Sequence, residues 1–367
     1  MAMQQIPVVV LAGFLGSGKT TLLNHLLGAG AGTRIGAIVN DFGSIEIDAM
    51  TVAGQVDSMV SLGNGCLCCA VDTSELDTYL ERLARPAARI DVIVIEASGL
   101  AEPEELIRMI LASETDRIVY GGLVEVVDAA EFAETRSRHP ELDRHVGIAD
   151  LVVLNKADRI GDAARQELMD TLGYLAPGRP VVCTAYGRID PELFFDRGAG
   201  EDLDAAVRQL SFEDLLRDSG VDAAADPGHP PDEHQGHDHG PSEPCAHLHT
   251  AYQSVEFTSA EPMNPRRLMD FLDSRPTGLY RIKGFVHFDV PGSRQKFSVH
   301  AVGDFLRFYP SPWGRDEERS TQLVLIGSGI DAAALRKELT TCRDDTPAET
   351  SEHSMWGVLR YVASREE

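Results

Sequence analysis

Short apolar runs alternate with amphipathic stretches through somewhat more than the first half of the chain. Most of the runs are rich in β-branched residues and have the length of buried strands. They lie at 7–12, 35–40, 90–96, 123–128, 151–155 and 181–185, and helical patterns between them include 20–27, 74–83 and 163–175. Strands that alternate with helices are typical of a parallel sheet. We therefore predict an α/β fold, with a mostly parallel sheet that is covered by helices on both faces.

The alternation stops near residue 219. The stretch 220–250 is rich in Gly, Pro, Asp and His and has almost no large apolar residues, so it cannot bury a core of its own. Strand and helix patterns then return between residues 252 and 339, which predicts a second, smaller α+β domain. We expect a first domain at 1–215, a flexible linker at 216–250, a C-terminal domain at 251–345 and a tail at 346–367.

The composition narrows the class of protein. A length of 367 residues suits two domains, and 43% hydrophobic with 25% charged residues is typical of globular proteins. The formal charge of −25 argues against a nucleic-acid partner, because such proteins neutralise phosphates with Lys and Arg. The apolar runs are too short to span a membrane. Three of the six cysteines lie within four positions, which indicates metal or redox chemistry in a reducing compartment, and we expect the cytoplasm.

The first apolar run leads into a glycine-rich loop, G-F-L-G-S-G-K-T at 13–20, and then into a helical pattern. This matches the phosphate-loop pattern G-x-x-x-x-G-K-[ST] in the strand–loop–helix setting that the pattern requires. Glycines let backbone N–H groups wrap a phosphate at a helix N-terminus. We expect Lys19 to reach the β- and γ-phosphate oxygens and Thr20 to hold Mg²⁺. The other predicted nucleotide contacts in this loop are Gly13, Gly16, Ser17, Gly18 and Thr21.

The motif N-K-x-D at 155–158 ends another predicted strand and indicates which base is bound. The Asp158 carboxylate can accept two hydrogen bonds, from N1–H and the 2-amino group of guanine, and adenine offers neither donor. Asn155 can contact the opposite edge of the base, and the Lys156 stem can cover the ring. The segment 183–185 follows the next strand, where a backbone loop would complete the base site. The pattern predicts GTP rather than ATP.

Between these two motifs, the run at 90–95 leads into Glu96-Ala97-Ser98-Gly99. Nucleotide hydrolases place an acidic residue here, on Mg²⁺ or its water, and then a glycine that senses the γ-phosphate. We assign these roles to Glu96 and Gly99. Because the acid is Glu rather than the commoner Asp, we expect its contact with Mg²⁺ to be indirect.

The string Gly63-Asn64-Gly65-Cys66-Leu67-Cys68-Cys69 carries the candidate metal site. In an extended segment Cys66 and Cys68 face one side, and a bend at the glycines can turn Cys69 toward them. Three thiolates suit Zn²⁺ or another thiophilic ion, and a replaceable fourth ligand favours a site that releases its metal. Three inert buried cysteines and a redox sensor are the alternatives.

The predicted linker holds six of the twelve histidines within 21 residues, at 229, 234, 237, 239, 247 and 249. Neutral imidazoles on a flexible segment bind Zn²⁺, Ni²⁺ or Co²⁺ weakly and reversibly, as a collecting site requires. We name His237 and His239 as candidate ligands. The alternative is a polar linker in which the histidines are incidental.

Taken in order, these motifs resemble one family, the CobW-like metal-handling P-loop GTPases, which are related to the nickel-insertion GTPases of hydrogenase and urease maturation. The resemblance spans nearly the whole chain: G-F-L-G-S-G-K-T-T-L-L-N-H-L-L, N-D-F-G-S-I-E-I-D, G-N-G-C-L-C-C, E-A-S-G-L-A-E-P and N-K-A-D, then the His-rich linker and R-I-K-G-F. One difference concerns the first switch, which in the family usually reads N-E-F-G-E. Here Asp41 keeps a shorter acid, a candidate metal ligand, and Ser44 lacks one.

The resemblance implies a GTP-dependent metallochaperone that binds Zn²⁺ at the three cysteines and delivers it to a client metalloprotein. GTP binding would set the metal affinity, and hydrolysis, slow without the client, would release the ion. One alternative is a maturation GTPase for a cobalt- or iron-containing enzyme, in a cobalamin pathway or for nitrile hydratase. Others are a non-enzymatic metal buffer and a redox-sensing switch.

Overall fold

Seven parallel strands among the described residues form one sheet. The computed structural model describes residues 5–29, 33–39, 58–61, 73–195, 252–315, 317–344 and 352–362. The strands are β1 (Ile6–Ala12), β2 (Ile35–Val39), β3 (Ser58–Ser61), β4 (Val92–Glu96), β5 (Ile118–Asp128), β6 (Leu151–Asn155) and β7 (Val181–Cys183). They lie in the order β3-β2-β4-β1-β5-β6-β7, and every neighbouring pair is parallel. The predicted parallel sheet is confirmed.

Helices cover both faces of this sheet. They are α1 (Lys19–Ala29), α2 (Thr73–Leu83), α3 (Pro103–Leu111), α4 (Phe132–Arg138), α5 (Leu142–Ile148) and α6 (Asp162–Leu175). Side chains alternate along β1, so Val9 packs in a core with Leu22 of α1, while Val10 packs in another with Leu106 of α3. Because both faces of a central strand are buried, its sequence is a continuous apolar run, which made it recognisable.

A second sheet in the C-terminal part of the chain is antiparallel. Its strands are β8 (Gln253–Ser259), β9 (Leu279–His287), β10 (Lys296–Val302), β11 (Phe305–Ser311) and β12 (Thr321–Gly327), in the order β11-β10-β9-β12-β8. The helices α7 (Pro265–Asp273), α8 (Ala332–Thr341) and α9 (Trp356–Leu359) pack against its core. The Asn264 side chain caps α7 by accepting from the backbone N–H of Arg266 and Arg267. The predicted α+β character of this part is confirmed.

The two sheets meet along β5. A Cβ at Gly122 would lie 2.7 Å from Val302 Cγ1 and 2.9 Å from the hydroxyl oxygen of Tyr280, so only glycine permits this approach. The His300 Nε2–H donates to the carbonyl oxygen of Tyr120 at 2.9 Å, and burial lowers the pKa of His300 to about 4, which keeps the ring neutral. The described parts of both sheets thereby belong to one compact unit.

Two strands differ from the sequence pattern. β5 begins at Ile118, five residues before the predicted start, because Gly121 and Gly122 look like strand breakers in a sequence. β3 has only four residues with serine at each end, so it carries no apolar run. The predicted domain boundaries at 215, 250 and 345 lie outside the described residues and stay predictions. No helix among the described residues is both long and apolar enough to cross a bilayer.

Candidate guanine-nucleotide site

The phosphate loop joins the end of β1 to the start of α1. Gly13, Gly16 and Gly18 have φ angles of +139°, +75° and +102°, in the region that favours glycine. A Cβ at Gly13 would lie 2.3 Å from the carbonyl oxygen of Val126 in β5, so the loop starts in close contact with its neighbouring strand. The first turn of α1 has backbone N–H groups without helical partners, and the dipole makes this end positive. The loop is therefore suited to bind phosphate.

Lys19 lies across its own loop. Its ammonium donates to the carbonyl oxygens of Gly13 at 2.8 Å and Phe14 at 3.2 Å, and only 7% of the residue is exposed. Phosphate oxygens bound in this loop would accept hydrogen bonds from the same ammonium. Of the other predicted contacts in the loop, Ser17 is buried and Thr21 is exposed.

Thr20 and Glu96 come together from neighbouring strand ends. The Thr20 hydroxyl donates to Glu96 Oε1 at 2.6 Å, and Glu96 is only 3% exposed at the end of β4. Gly99 approaches the phosphate loop closely, since a Cβ there would lie 2.7 Å from the backbone nitrogen of Leu15. A hydroxyl and a carboxylate side by side are ligands that suit Mg²⁺. The predicted pair is thus brought together beside the loop.

Asn155 joins two loops that are distant in sequence. Its Nδ2 donates to the carbonyl oxygen of Ser17 at 2.9 Å, and its Oδ1 accepts from the backbone N–H of Gly187 at 3.0 Å. Asn155 is 1% exposed. One end of its amide therefore holds the phosphate loop and the other holds the segment after β7, whereas the sequence pattern suggested contact with the base. In the described structure Asn155 positions these two loops relative to each other.

Lys156 makes the second link between the N-K-x-D motif and the phosphate loop. Its ammonium donates to the carbonyl oxygen of Gly16 at 2.7 Å and to Asp128 Oδ2 at 2.6 Å. Its backbone φ of 57° turns the chain directly after β6. The lysine stem consequently runs from the turn after β6 to the phosphate loop.

Asp158 lies exposed in the 3-10 turn Ala157–Arg159 that follows. The turn is held by the segment after β7, because the Ala157 N–H donates to the carbonyl oxygen of Thr184 at 3.1 Å. The Thr184 hydroxyl in turn donates to the carbonyl oxygen of Arg188 at 2.7 Å. The predicted segment 183–185 therefore contacts the turn that carries Asp158, the residue that we expect to select the base.

The sequence patterns do not single out three further residues at this site. Asp128, at the end of β5, pairs with Lys156. Glu125 is an acidic residue that is 2% exposed inside the otherwise apolar strand β5. A single acidic residue within an apolar run is the sequence signal that could have identified it. Tyr186 follows the 183–185 segment with φ +56° and a 64% exposed side chain, which only the structure reveals.

The predicted metal ligands lie outside the described residues; they are Asp41, Cys66, Cys68, Cys69, His237 and His239. Within the described ranges, no three His, Cys, Asp or Glu side chains are grouped as a metal site would require. Cys183 and Cys342 are described, and burial raises the pKa of both thiols, that of Cys342 to about 11. A raised pKa disfavours the thiolate that binds metal. These two cysteines are consistent with packing roles.

Two family profiles match the chain. Residues 7–182 match the CobW/HypB/UreG nucleotide-binding domain, and residues 252–343 match the cobalamin synthesis protein CobW C-terminal domain. The first match contains β1 to β7 except the first residue of β1 and the last residue of β7, together with the phosphate loop and the N-K-x-D motif. The second contains β8 to β12.

Individual proteins are similar over most of the chain. A zinc chaperone CobW from a Sinorhizobium species is 30% identical over 92% of this chain and 97% of that protein. A zinc chaperone CobW from Pseudomonas aeruginosa is 29% identical over 92% of this chain and 91% of that protein. The crystal structure of Zn(II)-bound YjiA GTPase from E. coli is 22% identical, covers 93% of this chain and 100% of that one, and has a TM-score of 0.41. The chain belongs to the CobW family, with a CobW/HypB/UreG nucleotide-binding domain followed by a CobW C-terminal domain.

Proposed function

We propose that this chain is a GTP-dependent zinc metallochaperone, which binds and hydrolyses GTP and passes zinc to a client protein. The observation that carries the nucleotide part is the pair of links from Asn155 and Lys156 to the phosphate loop. They fix the N-K-x-D turn, which we propose selects guanine, relative to the phosphate loop. The zinc part is supported by the two relatives named zinc chaperone, which match 92% of this chain.

The described residues support binding and slow hydrolysis of GTP. Lys19 would donate to the β- and γ-phosphates, and Thr20 would hold Mg²⁺ with Glu96 beside it. The bound Mg²⁺ would neutralise charge that develops on the phosphates. The phosphate loop and α1 would fix the phosphates for attack by water. This chemistry rests on positioning of the reacting groups. We therefore propose that client binding accelerates GTP hydrolysis.

The topology supports coupling between nucleotide and zinc. In a parallel sheet the carboxyl ends of all strands lie at one edge, where ligands bind. The phosphate loop follows β1 and Glu96 ends β4, while in the sequence Asp41 follows β2 and Cys66 follows β3. β2 lies between β3 and β4. We propose that GTP acts on the cysteines through these adjacent strand ends, and that the linker histidines collect the metal.

The test is the zinc affinity of the full chain, measured by competition with a chromogenic chelator. We expect the affinity to differ about tenfold or more between GTP analogue, GDP and no nucleotide, which corresponds to about 1.4 kcal/mol of coupling. Cys66→Ser should abolish this difference. Cys183→Ser is the matched control, since that half-buried cysteine packs on Met169, and it should keep the difference.

Equal zinc affinity in all three nucleotide states would contradict the proposal. The chain would then be a metal buffer in which nucleotide and zinc are uncoupled. The same titration with Co²⁺ and Fe²⁺ separates zinc delivery from maturation of a cobalt or iron enzyme, because the coupled ion is the one whose affinity changes with nucleotide.

A further inference from the structure

A cavity of about 340 Å³ lies beside the phosphate loop, on the side of β5 and α4. Residues 14–17 of the loop form one wall. Phe132 and Leu142 contribute apolar surface, and Glu125 contributes a carboxyl group. Of the acidic residues that line the cavity, Glu125 is the buried one, and it lies next to the loop that is expected to hold phosphates.

Glu125 is fixed in this place by strand register. It pairs with Ala12, the residue immediately before Gly13, and its residue exposure is 2%. Its Oε2 has no hydrogen-bond partner in the described structure. Burial therefore favours the neutral acid and raises the pKa of Glu125 to about 8, although the positive charge of Lys19 opposes this rise.

A bound nucleotide would change the charges around the Glu125 carboxyl in two ways. Its phosphates bring negative charge to the loop, and they draw on the ammonium of Lys19, which otherwise donates to Gly13 and Phe14. Both effects disfavour a carboxylate at Glu125. By linkage, a carboxylate at Glu125 must then disfavour the nucleotide by the same free energy.

We propose that Glu125 is a positioning residue of the nucleotide site, whose neutral form leaves Lys19 to the phosphates and whose carboxylate form opposes nucleotide binding. The proposal rests on the guanine-nucleotide site of the proposed function, and it makes the affinity for GDP and GTP dependent on pH. The nucleotide-bound pKa of Glu125 lies above the free value. Affinity is therefore full below pH 8 and falls as the pH rises through it.

Other charged or titratable groups line the cavity or pack against its lining residues. Asp128 and Lys156 form an ion pair at 2.6 Å, while Glu131 and Arg159 line the cavity and are exposed. The His139 ring packs on Phe14, with 4.6 Å between ring centroids. All of these groups remain when Glu125 is replaced by Gln. A comparison of wild type with Glu125→Gln therefore measures the effect of the Glu125 carboxyl alone.

The test compares GDP affinity of the full chain and of Glu125→Gln, at saturating Mg²⁺, from about pH 7 to about pH 9. If the nucleotide raises the pKa of Glu125 by one unit, the wild-type affinity falls about fivefold more than that of the variant. Ionisation of the guanine ring affects both proteins equally and cancels. Glu131→Gln, an exposed carboxylate at the same cavity, should keep the wild-type profile.

A second measurement needs no variant. Calorimetric titration of wild type with GDP in two buffers of different ionisation enthalpy should show uptake of about 0.4 proton per GDP near pH 8, for the same one-unit coupling. Identical pH profiles in wild type and Glu125→Gln, or no proton uptake by wild type, would overturn the proposal. Failure to bind GDP at any pH would instead overturn the nucleotide site itself.

Discussion

Asp158→Ala is expected to remove the preference of this protein for GTP over ATP. The ratio of the GTP affinity to the ATP affinity should fall by about hundredfold or more. We propose that the carboxylate of Asp158 accepts hydrogen bonds from the two donors on the guanine edge. A site that hydrogen-bonds such donors rejects a base that lacks them, because the polar group of the site would be left unpaired. Competition of GTP and ATP against a fluorescent GDP measures the ratio directly.

The structure indicates that the Asp158→Ala substitution affects base selection without disturbing the fold. Asp158 is exposed in the turn Ala157–Arg159, and its side chain makes no hydrogen bond or ion pair within the described residues. The turn is held by backbone contact with Thr184, which alanine leaves in place. Stability should therefore be unchanged while base selection is lost. Asp162→Ala, an exposed carboxylate at the start of α6, is the control that should keep the preference. An undiminished ratio in Asp158→Ala would refute the assignment.

The fold was predictable wherever a strand is buried on both faces. Val9 and Val10 point to opposite cores, so β1 has no polar position to interrupt its apolar run. The same reasoning fails at the edge of the sheet, where β3 is four residues long and begins and ends with serine. It also fails at Gly122, because the reason for glycine there is the approach of Tyr280 from the other sheet. That contact is not local in sequence.

The motifs of the candidate site can be recognised in the sequence, but most of its contacts cannot. The motifs predict which residues bind a guanine nucleotide, and the structure places two of them, Thr20 and Glu96, in hydrogen-bond contact. They do not reveal that Asn155 uses both ends of its amide on backbone groups, since its partners Ser17 and Gly187 lie far apart in the sequence. The sequence patterns did not identify Glu125 for the same reason, because its neighbour Ala12 is known only from strand register.

β5 connects the two parts of the protein. Its beginning packs on the C-terminal sheet, where Tyr120 accepts from His300 and Gly122 admits Tyr280. Its end carries Glu125 and Asp128 to the phosphate loop. The C-terminal sheet therefore contacts the same strand that borders the phosphate loop.

Asn155→Ala should weaken GDP binding by about hundredfold and lower the free energy of unfolding by about 3 kcal/mol. The variant leaves the carbonyl oxygen of Ser17 and the N–H of Gly187 without their partner, and each buried polar group left unsatisfied costs about 1–3 kcal/mol. The phosphate loop would no longer be tied to the segment after β7, so the phosphate and base halves of the site would lose their fixed relation. Urea unfolding and fluorescent-GDP titration measure the two effects.

The matched control separates stability from binding. Asn264→Ala removes the N-cap of α7 in the C-terminal part, where Asn264 accepts from the N–H of Arg266 and Arg267. It should cost about 1 kcal/mol of stability. Because it lies away from the nucleotide loops, GDP affinity should stay at the wild-type value. If Asn155→Ala also kept that affinity while losing stability, Asn155 would be a core polar contact only, and the positioning of the nucleotide would have to come from Lys156 alone.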